Sequence, residues 1–254
     1  SHAFENCAGL TGVTIPALPE EAEWNGWELE IGDRAFANCY SLRDVTMPGR
    51  VLDGQYCRRN EWGSDTYVPG LRAVFELDDL ERHRLWESVT VLGRAEKVPE
   101  GAFEGLRELR GVVLPASVRT VGENAFRECL KLESVTIADG GAWDDPYYSD
   151  ERMVGSSAFE GCASLTRVDI PEGVREICDR AFYGCAKLAD VTLPESVERI
   201  YEYAFYGCAS LTRMDFPEGV WDSNLGELIG GVRHIGSHAF ENCAGLTGVT
   251  IPAL

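Results

Sequence analysis

Nine cysteines, four histidines and an excess of carboxylates are the residues of this 254-residue chain whose types could do chemistry. Seven cysteines, Cys7, Cys39, Cys129, Cys162, Cys185, Cys208 and Cys243, each stand three residues after a Phe, whereas Cys57 and Cys178 do not. A disulfide needs two side chains that face each other, and structural zinc needs four ligands that converge. A cysteine supplied once per repeated unit gives a row of side chains pointing the same way. The pattern therefore predicts reduced, buried thiols on the row, with Cys57 the most reactive. Leu106 takes the cysteine place in one unit, which a packing position tolerates and a bridge does not. His2 and His238 occupy one repeat position, His83 takes a cysteine place, and His234 precedes an apolar Ile. No Ser-His-Asp, His-Glu-x-x-His or glycine-rich phosphate motif accompanies them, so neither catalysis nor a cofactor is expected. The run from Asp144 to Glu151 offers oxygen ligands but lacks the alternation of a calcium loop, and it reads as a solvated acidic loop.

A second set of residues could bind rather than react. Trp24, Trp27, Tyr56, Arg58, Arg59, Trp62, Tyr67, Trp143, Tyr147, Tyr148 and Trp221 all fall in four segments that interrupt the repeat, residues 17–30, 49–70, 139–152 and 219–231. Trp, Tyr and Arg are the preferred anchors of protein interfaces. The competing expectation is that these aromatics fold back and cover the edge from which they emerge.

What must position both sets is the repeat itself. Its core is Ala-Phe, Cys three residues after the Phe, Leu at six, Val at nine, an aliphatic at eleven and usually Pro at twelve. The Phe residues are Phe4, Phe36, Phe103, Phe126, Phe159, Phe182, Phe205 and Phe240, and three of the gaps are 23 residues. The gap from Phe36 to Phe103 hides a degenerate copy in which Leu80 stands for the Phe, followed by His83, Trp86, Val89 and Val91. Nine coils then cover residues 1–254, and a fixed period in this range is the mark of a solenoid. Residues 1–18 recur unchanged as 237–254, an offset of 236, or eight periods of 23 plus 52 inserted residues. Neither end reads as a polar cap, so the chain is expected to be a window on a longer tandem array, or a cut from one solenoid that carries a duplication.

Within a coil, Val168 and Ile170 alternate with Arg167 and Asp169, the pattern of a half-buried strand, and Pro171 ends it. A second apolar pair brings the chain back along an opposite wall: Val118 and Val121, Val174 and Ile177, Val197 and Ile200, Val232 and Ile235. Gly32, Gly122, Gly155 and Gly236 follow it, which suggests a turn near positive φ. Ala before each Phe fits coils stacked at about 5 Å, so nine coils should extend roughly 45 Å along an axis. A lone coil buries about six apolar side chains worth roughly 1.5–3 kcal/mol each. Ordering its 23 residues costs on the order of 1.5 kcal/mol apiece. Stability must therefore come from neighbouring coils.

Charge narrows the partners. Forty-two acidic against 23 basic residues give a net charge of −19, which repels phosphate backbones and argues against nucleic acid. Basic proteins, cationic glycans and divalent cations stay compatible with it. No apolar run reaches 18 residues, so no membrane insertion is expected.

The pattern Leu-x-x-Val-x-Ile-Pro, then Val-x-x-Ile-Gly-x-x-Ala-Phe-x-x-Cys, resembles the BspA-like class of leucine-rich repeats over essentially all coils. That resemblance implies a β-rich, α/β-type leucine-rich-repeat solenoid. It would be right-handed, with a parallel sheet on the concave wall and short strands, turns or 3₁₀ pieces opposite. It also implies a surface protein that adheres to other proteins. The strand face itself offers little chemistry, since its central column is Thr at Thr14, Thr46, Thr90, Thr136, Thr192 and Thr250, as strand propensity favours. Three readings follow: a protein-binding scaffold or adhesin-like module using the aromatic insertions; a structural array self-associating through uncapped coil ends; and a carbohydrate-binding module using the aromatic, acidic edge.

Overall fold

The computed structural model describes residues 2–17, 31, 34–53, 58–59, 65–66, 71–75, 85–138, 152–222, 227–229 and 231–251. Alternating valines build the first wall. Strands Gly12–Thr14, Asp44–Pro48, Ser88–Leu92, Gly111–Leu114, Ser134–Ile137, Arg167–Asp169 and Asp190–Thr192 form one parallel seven-stranded sheet in chain order. Its register aligns Val13, Val45, Val89, Val112, Val135, Val168 and Val191 in one column. Arg213–Asp215 and Gly248–Thr250 add a parallel pair in which Met214 faces Val249. The returning apolar pairs form the second wall, a parallel six-stranded sheet of two-residue strands running from Lys97–Val98 to His234–Ile235. There Val98, Val121, Val154, Ile177, Ile200 and Ile235 are in register.

Between the walls the Phe column is a continuous stack. Phe103, Phe126, Phe159, Phe182, Phe205 and Phe240 lie ring on ring at 5.0–5.2 Å, within 17° of parallel. Peptide hydrogen bonds set that spacing: the Phe159 N–H donates to the Ala181 carbonyl at 2.7 Å, and Phe182 to Ala204 likewise. From Ala35 to Ala239 the described Ala column is buried where one coil's backbone passes the next, while Ala3 is exposed.

Turns flank each Phe. The residues two before and two after it hold positive φ, among them Asn124 and Glu128, Ser157 and Gly161, Arg180 and Gly184. Gly122, Gly155 and Gly236 after the apolar pair do not, which corrects the expectation of a left-handed turn there; Gly32 lies outside the described residues. A Cβ on Gly122, Gly155 or Gly236 would come to 2.6 Å from a backbone atom of the preceding coil. These glycines serve close approach between coils, not a special φ.

The coil after Phe36 departs furthest from the repeat. The Phe36 N–H donates to the Val74 carbonyl at 3.1 Å, and the Phe75 ring stacks on Phe36 at 5.3 Å. Val74-Phe75 thus holds the Ala-Phe place that the repeat spacing assigns to Leu80, which lies outside the described residues, as does His83. Trp86, almost fully buried, fills the Leu place and meets Phe75 edge-on at 5.0 Å. Two five-residue helices, Gly49–Asp53 and Leu71–Phe75, bury Val51, Leu52, Leu71, Val74 and Phe75. The start of the 49–70 insertion is therefore core rather than edge, because its apolar residues close the gap left by the displaced repeat.

Phe159, fully buried between two rings, should cost about 3–5 kcal/mol when replaced by Ala. Phe4, at 50 % exposure and with one stacking neighbour among the described residues, should cost less than half as much. Urea denaturation of Phe159→Ala and Phe4→Ala compares them; equal losses would contradict a stack stabilised from both sides.

Candidate functional site

The 139–152 and 219–231 insertions follow the first-wall strands Ser134–Ile137 and Arg213–Asp215 and precede the second-wall strands Met153–Val154 and His234–Ile235, so both leave at the same edge. Two of the four insertions contain hairpins separate from both walls. Arg58–Arg59 pairs antiparallel with Asp65–Thr66, setting Arg58 against Thr66 and Arg59 against Asp65. Val220–Asp222 pairs antiparallel with Glu227–Ile229, setting Trp221 against Leu228. Of the expected binding residues, Arg58, Arg59 and Trp221 therefore lie on hairpin strands. Trp24, Trp27, Tyr56, Trp62, Tyr67, Trp143, Tyr147 and Tyr148 lie outside the described residues, as does Cys57.

A second aromatic group was not anticipated. Tyr183 and Tyr206, one period apart, stack at 4.7 Å, and the Arg180 guanidinium sits 4.7 Å above the Tyr183 ring. Tyr203 stacks on His238 at 4.9 Å and meets Tyr206 edge-on. The signal was present in Ala-Phe-Tyr-Gly-Cys, which occurs at 181–185 and again at 204–208. Tyr183 already stacks on Tyr206 and carries Arg180 over its ring, so a sugar ring stacking there would compete with both.

The first-wall surface is bland and charge-paired. Arg43 pairs with Glu87, and Arg110 with Glu133 at 3.0 Å, across neighbouring coils. Such exposed pairs each contribute about 0–1 kcal/mol. Among the described residues no group of three or more His, Cys, Asp or Glu could hold a metal ion. No helix there is long and apolar enough to cross a membrane.

The cysteine row has a role beyond filling space. Six of its seven thiols donate to the carbonyl of the Phe one coil earlier: Cys39 to Phe4 at 3.1 Å, Cys129 to Phe103 at 3.0 Å, Cys162 to Phe126 at 3.0 Å. Cys185, Cys208 and Cys243 repeat this with Phe159, Phe182 and Phe205. The Phe carbonyl already accepts its own coil's turn bond, as from the Cys162 N–H to Phe159, and the thiol fills its second lone pair. All described cysteines are free, and six of the row are buried. Cys7 is exposed, against the expectation for the row, because its coil has no described neighbour on that side.

Burial pushes the Cys129, Cys162, Cys185 and Cys208 thiols well up, since an apolar interior disfavours the thiolate. Cys178, off the row and beside the Met153 sulfur at 3.6 Å, is pushed up to about 12 by burial and neighbouring carboxylates.

A raised folded-state pKa means the unfolded chain loses its thiol protons first. The contribution of these thiols is therefore complete below about pH 8.5 and is lost as pH rises above it. Each buried thiol should steepen that decline by about 1.4 kcal/mol per pH unit. Urea denaturation between pH 8 and 10.5 should show a slope shallower by that amount in Cys185→Val. An unchanged slope would mean that the thiol ionises in the folded protein.

Comparison with known proteins follows the same lines. Six copies of the BspA type leucine rich repeat region match residues 1–52, 82–142 and 151–254. Among solved structures, the chain is similar to the T. pallidum leucine rich repeat protein, with 29 % identity and a TM-score of 0.41 over 64 % of this chain and 57 % of that one. It is also similar to a leucine-rich repeat protein from Eubacterium ventriosum, with 18 % identity and a TM-score of 0.47 over 87 % of this chain and 56 % of that one. A leucine rich cell surface protein from Faecalibacterium prausnitzii is 21 % identical, with a TM-score of 0.35, over 100 % of this chain and 76 % of that one. The chain spans a little over half the length of the first two. No curated protein sequence matches it. With the repeat matched over most of its length, on two parallel walls and a Phe stack, the chain belongs to the BspA-type leucine-rich repeat family.

Proposed function

We propose that the chain is a non-catalytic, protein-binding repeat scaffold of adhesin-like character, and that the insertion-bearing edge is its binding side. The observation that carries this reading is the pair of antiparallel hairpins outside the parallel walls, with Arg58, Arg59 and Trp221 on their strands. A regular coil surface repeats itself every 23 residues and offers a partner the same chemistry at each rung. The insertions differ from one another, and they hold five of the six tryptophans. Trp62, Arg58, Arg59, Tyr56 and Tyr67 lie together in the 49–70 insertion, which makes it the first choice for the centre of contact.

A second reading, self-association through the end coils, has its own supporting observation. Segments 1–18 and 237–254 are identical in sequence, yet Ile15 is 3 % exposed under the next coil and Ile251 is 69 % exposed. The buried Ile15 shows that this column is built to be covered by a following coil, a role a second copy could fill as well as the same chain. Sedimentation that shifts with protein concentration, and stops shifting in Ile251→Glu, is the expected sign of that association.

For the edge, Trp62→Ala is expected to weaken a captured partner about thirtyfold, about 2 kcal/mol, with the fold intact. Trp143→Ala and Trp221→Ala should weaken it in the same direction. Surface plasmon resonance against that partner makes the measurement. Full affinity in all three variants, with loss in Thr136 or Thr192 variants, would move the site to the strand face.

A further inference from the structure

Many of the described basic residues on this acidic chain are neutralised locally. Ten arginines hold a carboxylate oxygen within 4.0 Å. Arg152 and Arg175 do not, and neither has a side-chain hydrogen-bond partner among the described residues. The two are neighbours. Met153 pairs with Glu176 in the second wall, which sets Arg152 against Arg175 one residue earlier, and the Arg175 N–H donates to the Arg152 carbonyl at 2.7 Å. Val154 pairs with Val121, which sets Arg119 on the other side of Arg152. Three arginines therefore occupy three successive rungs of one column, bounded by Glu96 and Glu198.

The side chains of Arg152 and Arg119 converge, and Arg175 follows Arg152 in the register. A Cβ placed on Gly173 would lie 3.6 Å from Arg152 Nη1 and 3.8 Å from Arg119 Nε. Both guanidinium groups thus hang over the same bare turn, no more than about 8 Å apart. Arg119 Nη1 is committed to the Ala116 and Val118 carbonyls, at 2.7 and 3.2 Å, which fixes its position. Arg152 is half-buried and Arg175 exposed, so both can be reached from solvent. The nearest carboxylate on the strand of Arg175, Glu176, is taken by Arg199 at 2.8 Å. Like charges gathered at one point repel, and a bound anion removes that repulsion.

We propose that Arg152 and Arg175, adjacent in the register and both reachable from solvent, with Arg119 holding the third rung beside Gly173, form a binding site for a phosphate-type oxyanion. Guanidinium forks donate paired N–H groups in the geometry such oxygens accept. Adjacent coils are spaced about 5 Å apart, close enough for one tetrahedral oxyanion to accept from two of them. The net charge of −19 opposes anions only at long range, because salt screens it beyond about 8 Å. The site lies on the second wall and stands whether or not the insertions bind a protein.

The probe is inorganic phosphate, titrated into the whole chain at constant ionic strength with chloride as reference. It is read by calorimetry and by the arginine Nε–H resonances. A saturable site with a dissociation constant on the order of millimolar is expected. Arg152→Gln and Arg175→Gln should each weaken it roughly fivefold or more, and the double variant should abolish it. Arg213→Gln, whose arginine is held by Asp215 on the first wall, should leave it unchanged. Glu198→Gln, which removes the carboxylate beside Arg175, should tighten it about two- to threefold. Tighter binding of a phosphoserine peptide than of phosphate assigns the group to a peptide; equal or weaker binding assigns the free ion. Heats that never saturate, or binding that survives in the double variant, overturn the site.

Discussion

Stacking of one coil on the next, at the spacing a peptide-to-peptide hydrogen bond permits, is the interaction on which every other feature of this molecule rests. A 23-residue coil cannot bury enough apolar surface to offset the entropy of ordering it. Two faces covered by neighbours change that balance, and the Phe159 N–H bond to Ala181 at 2.7 Å fixes how closely they come. The other columns follow from this distance. Phe rings stack at about the same interval of 5 Å. Ala fits before the Phe because a larger side chain would hold the backbones apart. Gly122, Gly155 and Gly236 fit where a Cβ would strike the preceding coil. Cysteine suits its place because a thiol is small enough to bury and still donates to the Phe carbonyl one rung away.

Periodicity in the core becomes periodicity on the surface, and this shapes what the protein can recognise. Residues of one column sit beside their counterparts, so a column of like charge is unfavourable and one of alternating charge is self-neutralising. Arg43 with Glu87 and Arg110 with Glu133 follow the second pattern. Arg199 with Glu176 does so on the other wall. Against that background, Arg119, Arg152 and Arg175 in succession break the rule, as do the insertions, which escape the period altogether. A repeat scaffold acquires specificity where the repeat is violated.

The coil between Phe36 and Phe103 shows how much violation the stack tolerates. It carries two one-turn helices, and its Ala-Phe place is held by Val74 and Phe75. Stacking demands a ring at the Phe place, an apolar filler under the strand and a carbonyl facing the previous coil. Phe75, Trp86 and Val74 meet those demands with a different connecting length. The path between them is free to vary because the stack constrains positions in space, not spacing along the chain.

The sequence by itself determined the family, the two walls, the strand register and the identity of the buried columns. Each of these is a consequence of side-chain type at a fixed interval, as in Val168 beneath Arg167 and Asp169, and an interval is visible in one dimension. It also showed that the cysteines form a row and hence do not pair. Tertiary structure decided what depends on distances between coils. The thiols proved to be donors, the column glycines to be points of close approach, and the residues two before and two after each Phe to carry the positive φ. Phe75 entered the stack on Phe36, and Arg152 and Arg175 were left without a carboxylate partner among the described residues of a chain with 42 acids. None of these could be read from spacing, because each is settled by which atoms of a neighbouring coil lie within a few ångströms, and the insertions that separate coils in sequence do not separate them in space.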